Sequence, residues 1–182
     1  MKTINIIIVL ALTMFFCTIG NAQTSLTSKT VLEKQVTLKI PKGFKELGIA
    51  EINQKYERGR RPNIVFANNK RNVTITLELK STQISQESLP RYQANYGFMF
   101  SKYLIDKTKK SNDLIPINNH KVGFFKLKMP TRTGLSYTLM FYTNIGNQML
   151  TGTFSCPINE QQKWENSADK ILRSLVVKKI YN

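Results

Sequence analysis

The stretch from residue 135 to residue 175 decides the fold, and it reads LSYTLMFYTNIGNQMLTGTFSCPINEQQKWENSADKILRSL. Apolar and polar residues alternate over 135–144 and again over 148–156, which predicts two strands. The Ile-Gly-Asn triplet at 145–147 lies between them and is typical of a hairpin turn. Because so short a connection joins only antiparallel neighbours, the sequence predicts an antiparallel pair.

A helix is predicted directly after this hairpin. Asn159 is a good N-cap residue, and Gln162 follows three residues later at the spacing of a capping box. The apolar residues that recur on one helix face are Trp164, Ala168, Ile171, Leu172 and Leu175. We therefore expect a terminal helix that buries this stripe against the sheet.

The same alternation predicts further strands upstream. These strands span residues 36–40, 63–67, 73–80, 114–117 and 122–129. The polar segments at 68–72 and 118–119 suit hairpin turns. A weaker strand is predicted over 49–57, followed by a turn at 58–62.

One segment changes to the period of a helix, and it spans residues 87–105. Its apolar stripe consists of Leu89, Tyr92, Tyr96, Met99, Phe100 and Tyr103. Rings at this spacing are typical of a helix that packs against a sheet, whereas a base-stacking platform needs exposed rings. Hairpins broken by one central and one terminal helix predict an α+β domain with a mainly antiparallel sheet.

The first 22 residues carry the three-part pattern of a secretory signal peptide. Lys2 precedes an apolar run, and Gly-Asn-Ala at 20–22 supplies the small residues before a cleavage point. The run is shorter than the roughly 20 residues of a membrane span. We expect cleavage after Ala22 and a periplasmic or secreted protein without a transmembrane segment. Lipidation at Cys17 is the alternative, and it is disfavoured because Phe16 is bulky where a lipobox needs a small residue.

The length of 182 residues suits one domain. We divide the chain into a signal peptide over 1–22, a flexible lead-in over 23–30, one domain over 31–177 and a basic tail over 178–182. Cleavage leaves Cys156 as the one cysteine, so no intramolecular disulfide can form. The hydrophobic core must then stabilise the domain, which is feasible at this size.

The composition argues against enzymatic chemistry. One histidine and two cysteines cannot assemble a usual zinc site. We interpret Cys156 as a buried structural thiol and His120 as a solvated turn residue. The acidic residues are scattered singly and no glycine-rich phosphate loop is present. We therefore expect no enzyme, no cofactor and no bound metal.

Positive charge is the strongest signal, since 27 Lys and Arg against 11 Asp and Glu give a net charge of +16. The candidate partner-binding residues are Arg58, Arg60, Arg61, Lys70, Arg71, Lys107, Lys109, Lys110, Lys126 and Lys128. Lys126 and Lys128 alternate with apolar residues, so we expect both to project from one polar side of their strand. A solvated surface that aids solubility explains the same charge, and both interpretations stay open.

Several segments resemble the PsbP-like superfamily, which includes the bacterial DcrB-like proteins. Val-Thr-Leu-Lys-Ile-Pro-Lys-Gly-Phe at 36–44 is similar to its opening strand, and Ile-Asn-Asn-His-Lys-Val-Gly-Phe at 117–124 to its mid-domain turn. Residues 146–157, with Trp164 and Ile-Leu-Arg-Ser-Leu at 171–175, resemble its last strand and helix. The resemblance covers residues 31–177 and implies an α/β/α sandwich. It implies no single function, since its members include assembly subunits, adaptor chaperones for secreted toxins and exported proteins of unknown role.

Export and charge together predict an exported, non-enzymatic binding protein. The first hypothesis is an acidic protein partner, for example in periplasmic immunity against a toxin or in an escort role. The alternative is a cell-envelope accessory protein that binds anionic lipid or cell-wall polymer through its basic surface. Nucleic acid is disfavoured because the aromatic residues follow core stripes and export separates the protein from most nucleic acid.

Overall fold

A computed structural model describes residues 24–178 of the chain. The predicted signal peptide at 1–22 and residues 179–182 of the basic tail lie outside the described residues. The described part contains two antiparallel sheets and three α-helices.

Seven strands form the large sheet. In spatial order they are β3 (Lys45–Glu46), β4 (Ile64–Ala67), β5 (Thr74–Gln83), β9 (Gln148–Pro157), β8 (Gly134–Ile145), β7 (His120–Thr131) and β6 (Asn112–Ile117). The three predicted hairpins, β4–β5, β6–β7 and β8–β9, are confirmed. Asn118 and Asn119 in the β6–β7 turn both adopt positive φ, which asparagine tolerates better than most residues.

A small sheet consists of β1 (Leu26–Val31), β2 (Val36–Pro41) and β10 (Val176–Val177), in that order. The expected flexible lead-in over 23–30 is therefore corrected, because most of it is a strand that pairs residue by residue with β2. The side chains of β1 are largely exposed, so the strand carries no apolar alternation for sequence analysis to detect.

The first helix, α1 (Ile49–Lys55), replaces the weak strand predicted over 49–57, which was wrong. The Glu51 carboxylate accepts a hydrogen bond from the Gly48 backbone N–H at 3.0 Å, which stabilises the first turn. Ile52 and Tyr56, four residues apart, pack together against β4. This spacing is helical, and it outweighs the β-propensity of the two isoleucines.

The central helix, α2 (Leu89–Phe100), confirms the predicted helix but is shorter than 87–105. The chain leaves the helix because the edge of β7 offers backbone partners: Lys128 N donates to Tyr103 O at 2.7 Å. The rings of Tyr96 and Phe100 pack against Phe125 of β7, as the stripe predicts. Met99 is the exception, since 60% of its surface is exposed.

The terminal helix, α3 (Gln161–Arg173), follows a 3₁₀ turn at Ile158–Glu160. The 3₁₀ turn moves the N-cap to Glu160, so the predicted capping role of Asn159 is wrong. The stripe beginning at Trp164 is buried, as predicted. Trp164 Nε1 donates to Glu160 Oε2 at 3.0 Å, and its ring packs edge-on to Phe44.

The helices and the small sheet cover both faces of the large sheet. The larger core lies between the sheet and α3 with β2, and the other face buries smaller clusters under α1 and α2. This arrangement confirms the α+β class and the α/β/α sandwich. Within residues 24–178 no helix is both long and apolar enough to cross a membrane.

Candidate functional site

Lys126 is not available to a partner. Its side chain is 11% exposed, and its Nζ lies 2.9 Å from Asp169 Oδ2 and 3.2 Å from Glu165 Oε1. Both carboxylates belong to α3, which covers the side of β7 that sequence analysis left open. The prediction that Lys126 contacts a partner is therefore corrected, because this residue attaches α3 to the sheet. Lys128, two residues on, remains exposed.

Two further candidates lie in the β4–β5 turn. Arg71 forms an ion pair with Glu51 of α1, so its charge is already partnered. Lys70 lines a cavity of about 500 Å³ together with Lys42 and Lys163, and Glu160 also lines it. This turn thus combines cations with acids and does not form an uncompensated basic patch.

The Arg58, Arg60 and Arg61 loop follows α1 and is exposed. Arg61 Nε donates to Tyr56 O at 3.4 Å, which is a weak hydrogen bond to the C-cap residue of α1. Among the described residues, none of the three arginines is in an ion pair. The loop remains a candidate, separate from the turn that holds Lys70.

Lys107, Lys109 and Lys110 lie in an exposed loop that leads into β6. Lys109 and Lys110 line a cavity of about 420 Å³ between this loop and α3, where Arg173 also contributes. Asp113 and Asp169 line the same cavity, but Asp169 is bonded to Lys126. The structure thus brings this predicted cluster next to the C-terminal end of α3.

A neighbouring cavity of about 570 Å³ was missed by sequence analysis. Its charged lining consists of Lys39, Lys170 and Arg173, with no acid among the described residues around it. Ser174 fixes its geometry, since its Oγ accepts a bond from Lys39 N at 2.8 Å and donates to Ile171 O at 2.6 Å. Strand β2 is thereby held against the end of α3.

Arg173 lines both cavities and joins them into one surface. We call it the C-terminal basic surface, and it consists of Lys39, Lys109, Lys110, Lys170 and Arg173. Lys170 and Arg173 stand three residues apart on the polar side of α3, a spacing visible in the sequence. The sequence could not assign Lys39 to this surface, because only the packing of β2 against α3 brings Lys39 close to Arg173.

The chemistry of this surface is anion binding. Lysine ammonium groups act as strongly hydrated point charges, and an arginine guanidinium can hold a carboxylate or phosphate by two hydrogen bonds. Cations placed around a concavity concentrate their field on a group that enters it. The surface therefore suits carboxylate-bearing or phosphate-bearing partners.

The remaining reactive side chains lie apart from one another. Cys156 is buried near the end of β9, and burial raises the pKa of its thiol to about 12. His120 is half-buried at the start of β7, and the strand register places it at the other end of the sheet. Within residues 24–178 no group of three His, Cys, Asp or Glu could hold a metal ion.

Comparison with known proteins supports the fold. No family model matches the chain. A segment is 28% identical over 67 residues to the inner membrane lipoprotein DcrB of Shigella flexneri. That match covers 37% of this chain and 36% of DcrB, so it spans about a third of the relative.

Solved structures match over most of the chain. Cyanobacterial PsbP (CyanoP) of Synechocystis superposes with a TM-score of 0.55 at 12% identity, over 87% of this chain and 96% of CyanoP. The chain has a PsbP-like fold. LpqN of Mycobacterium tuberculosis, a protein involved in cell envelope biogenesis, superposes on this PsbP-like fold with a TM-score of 0.55 at 10% identity, over 87% of each chain. These identities establish the shared fold alone.

Proposed function

We propose that the protein is an exported, non-enzymatic accessory protein of the cell envelope that binds an acidic protein partner through its C-terminal basic surface. The observation that carries the proposal is the cavity lined by Lys39, Lys170 and Arg173, because no acid lines it and none of its cations forms an ion pair among the described residues. Cations that are buried or held in ion pairs would be structural, whereas three cations without an ion pair around one concavity suit an incoming anion.

The envelope location is supported by the sequence and by the relatives. The predicted signal peptide directs the chain out of the cytoplasm. DcrB is an inner membrane lipoprotein, and LpqN is involved in cell envelope biogenesis. A buried Cys156 with a raised thiol pKa is a poor nucleophile, which supports a binding role over a catalytic one.

A polypeptide partner is favoured by the strand beside the cavity. β1 is an edge strand of the small sheet, and the cavity is lined by Leu26, its first residue, and by Ser25 directly before it. An extended segment can pair its backbone with such an edge while its side chains enter neighbouring pockets. An acidic segment on β1 would place a carboxylate near Lys39 and Arg173.

Binding to a fluorescent decaglutamate peptide tests the proposal. The triple variant Lys39→Ala, Lys170→Ala and Arg173→Ala is expected to bind at least tenfold more weakly at low salt. The difference should shrink at about 1 M salt, where the Debye length falls to about 3 Å. Thermal unfolding of each variant shows that folding is retained.

The matched control removes the same charge elsewhere, through Arg58→Ala, Arg60→Ala and Arg61→Ala. It is expected to bind the peptide nearly as well as the wild-type protein. If the control loses binding and the first variant retains it, the arginine loop is the docking site. Equal affinity of both variants and the wild type would leave the charge as general surface charge and contradict the proposal.

Export has its own test. Protein recovered from the periplasm should have Gln23 as its first residue by intact-mass measurement. A mass that retains residues 1–22, or a diacyl group on Cys17, would contradict the proposed processing.

A further inference from the structure

Two large apolar side chains protrude from the end of α2. Phe98 is 85% exposed and Met99 is 60% exposed, although the other side of the same helix buries Leu89 completely. Single exposed apolar residues are common, but two adjacent large ones on a helix surface form a protrusion that water solvates poorly. Packing within the described part of the chain does not account for them.

Cations precede and follow this protrusion in the chain. Arg91 precedes Phe98 by seven residues, or two helical turns, and therefore lies on the same outward side of α2. Lys102 follows Phe98 by four residues, and its Nζ lies 4.9 Å from the centroid of the Tyr103 ring. Residues 88–105 contain no Asp or Glu.

We infer that this protrusion docks the protein on a lipid bilayer with anionic headgroups. Phe98 and Met99 enter the interface between headgroups and acyl chains, and Arg91 and Lys102 contact the headgroups. An apolar tip between cations, on a segment without acids, complements such a surface in both polarity and charge. A stable protein interface would instead bury about 800 Å² on each partner, far more than two side chains provide.

The docking surface is independent of the C-terminal basic surface. α2 packs on one face of the large sheet, whereas α3 and the cavity at its end lie on the other face. A protein docked through Phe98 therefore presents Lys170 and Arg173 away from the bilayer. The inference thus goes beyond the proposed function and can fail without it.

Vesicle co-sedimentation tests the inference. The probes are vesicles of equal parts phosphatidylglycerol and phosphatidylcholine, and vesicles of phosphatidylcholine alone. We expect the wild-type protein to bind only the anionic vesicles and the Phe98→Ala, Met99→Ala variant to bind them at least tenfold more weakly. This variant keeps every charge, so its loss cannot be electrostatic. Undiminished binding by the variant would overturn the inference.

Two further variants control the experiment. The Lys39→Ala, Lys170→Ala, Arg173→Ala variant removes charge on the opposite face and should keep most of its vesicle binding. A loss as large as that of the Phe98→Ala, Met99→Ala variant would overturn the inference. Sedimentation velocity addresses another occupant: a wild-type dimer that Phe98→Ala, Met99→Ala dissociates would show that a second copy covers the protrusion instead.

Insertion has a direct spectroscopic readout. Met99→Cys can be labelled with an environment-sensitive fluorophore, because buried Cys156 is protected in the folded protein. Its emission should shift to shorter wavelength with anionic vesicles, and the same label on Asn166→Cys of α3 should not shift. Equal shifts at both positions, or none at Met99, would contradict insertion.

Discussion

Gly152 of β9 lies directly beneath the aromatic ring of Phe141, its cross-strand partner on β8. A Cβ atom at Gly152 would overlap three atoms of that ring. Gly123 of β7 has the same relationship to Tyr142 on the other face of the sheet. Each glycine lets a ring lie flat over the neighbouring strand, and the rings fill the two cores between sheet and helices.

Gly152→Ala is expected to lower the free energy of unfolding by about 3 kcal/mol, at the upper end of overpacking costs. The added methyl forces the Phe141 ring out of a core that has no space for it. Gly97→Ala is the control, because nothing lies within 4 Å of an added Cβ there. Because Gly97 lies within α2, Gly97→Ala should raise the free energy of unfolding by about 0.5–1 kcal/mol. Urea unfolding measures the free energy of unfolding of both variants. Equal effects of the two substitutions would contradict the close packing of Gly152 against the Phe141 ring.

Lys126→Met should destabilise the protein by about 1–3 kcal/mol. The substitution leaves Glu165 and Asp169 without their shared cation, and partial exposure of both carboxylates limits the cost. Lys128→Met on the same side of β7 is the matched control and should stay within about 0.5 kcal/mol of wild type. If the two variants unfold at the same urea concentration, Lys126 does not attach α3 to the sheet.

Tyr137→Phe should raise the free energy of unfolding by about 1 kcal/mol. The Tyr137 hydroxyl is buried and has no hydrogen-bond partner within the described part of the chain. Burial also raises the pKa of this phenol far above its ordinary value. An unpaired buried hydroxyl costs about 1–3 kcal/mol, and phenylalanine removes it without changing the ring. A loss of stability in thermal unfolding would mean that the hydroxyl does have a partner.

Cys156 should resist alkylation in the folded protein and react fully in urea. Burial raises its pKa to about 12 from an ordinary value of 9.0, so the folded state holds the thiol proton more tightly than the unfolded state. Stability from this group is present below pH 9 and is lost as the pH rises from about 9 to 12. Mass spectrometry after iodoacetamide treatment at pH 8 is the measurement. Rapid labelling without urea would show an accessible thiolate.

Elements whose structure depends on local periodicity could be predicted from the sequence. The hairpins and the buried stripe from Trp164 to Leu175 follow from spacing alone. The helix at Ile49–Lys55 was missed because its seven residues bury only one fully, which gives almost no periodic signal. β1 was missed for a related reason, since its side chains are mostly exposed and its pairing with β2 stabilises it.

The candidate site depends more on tertiary packing than the fold does. Lys126 and Lys128 are equivalent in the sequence, and only the position of α3 makes one structural and leaves the other exposed. The cavity at the end of α3 joins Lys39 to Arg173, which no sequence pattern connects. The clusters at 58–61 and 107–110 were found because their charges are adjacent in the chain.

Strand β2 has a consequence for the order in which the chain folds. Its two neighbours are β1 and β10, which come from opposite ends of the described chain, and Lys39 bonds to Ser174. The small sheet cannot close until Val176–Val177 has been synthesised, and contacts between residues so distant in sequence form slowly. We therefore expect the small sheet to form only when synthesis of the chain is nearly complete. A fold that is completed this late suits the proposed export, because the chain can enter a secretion channel before its core is closed.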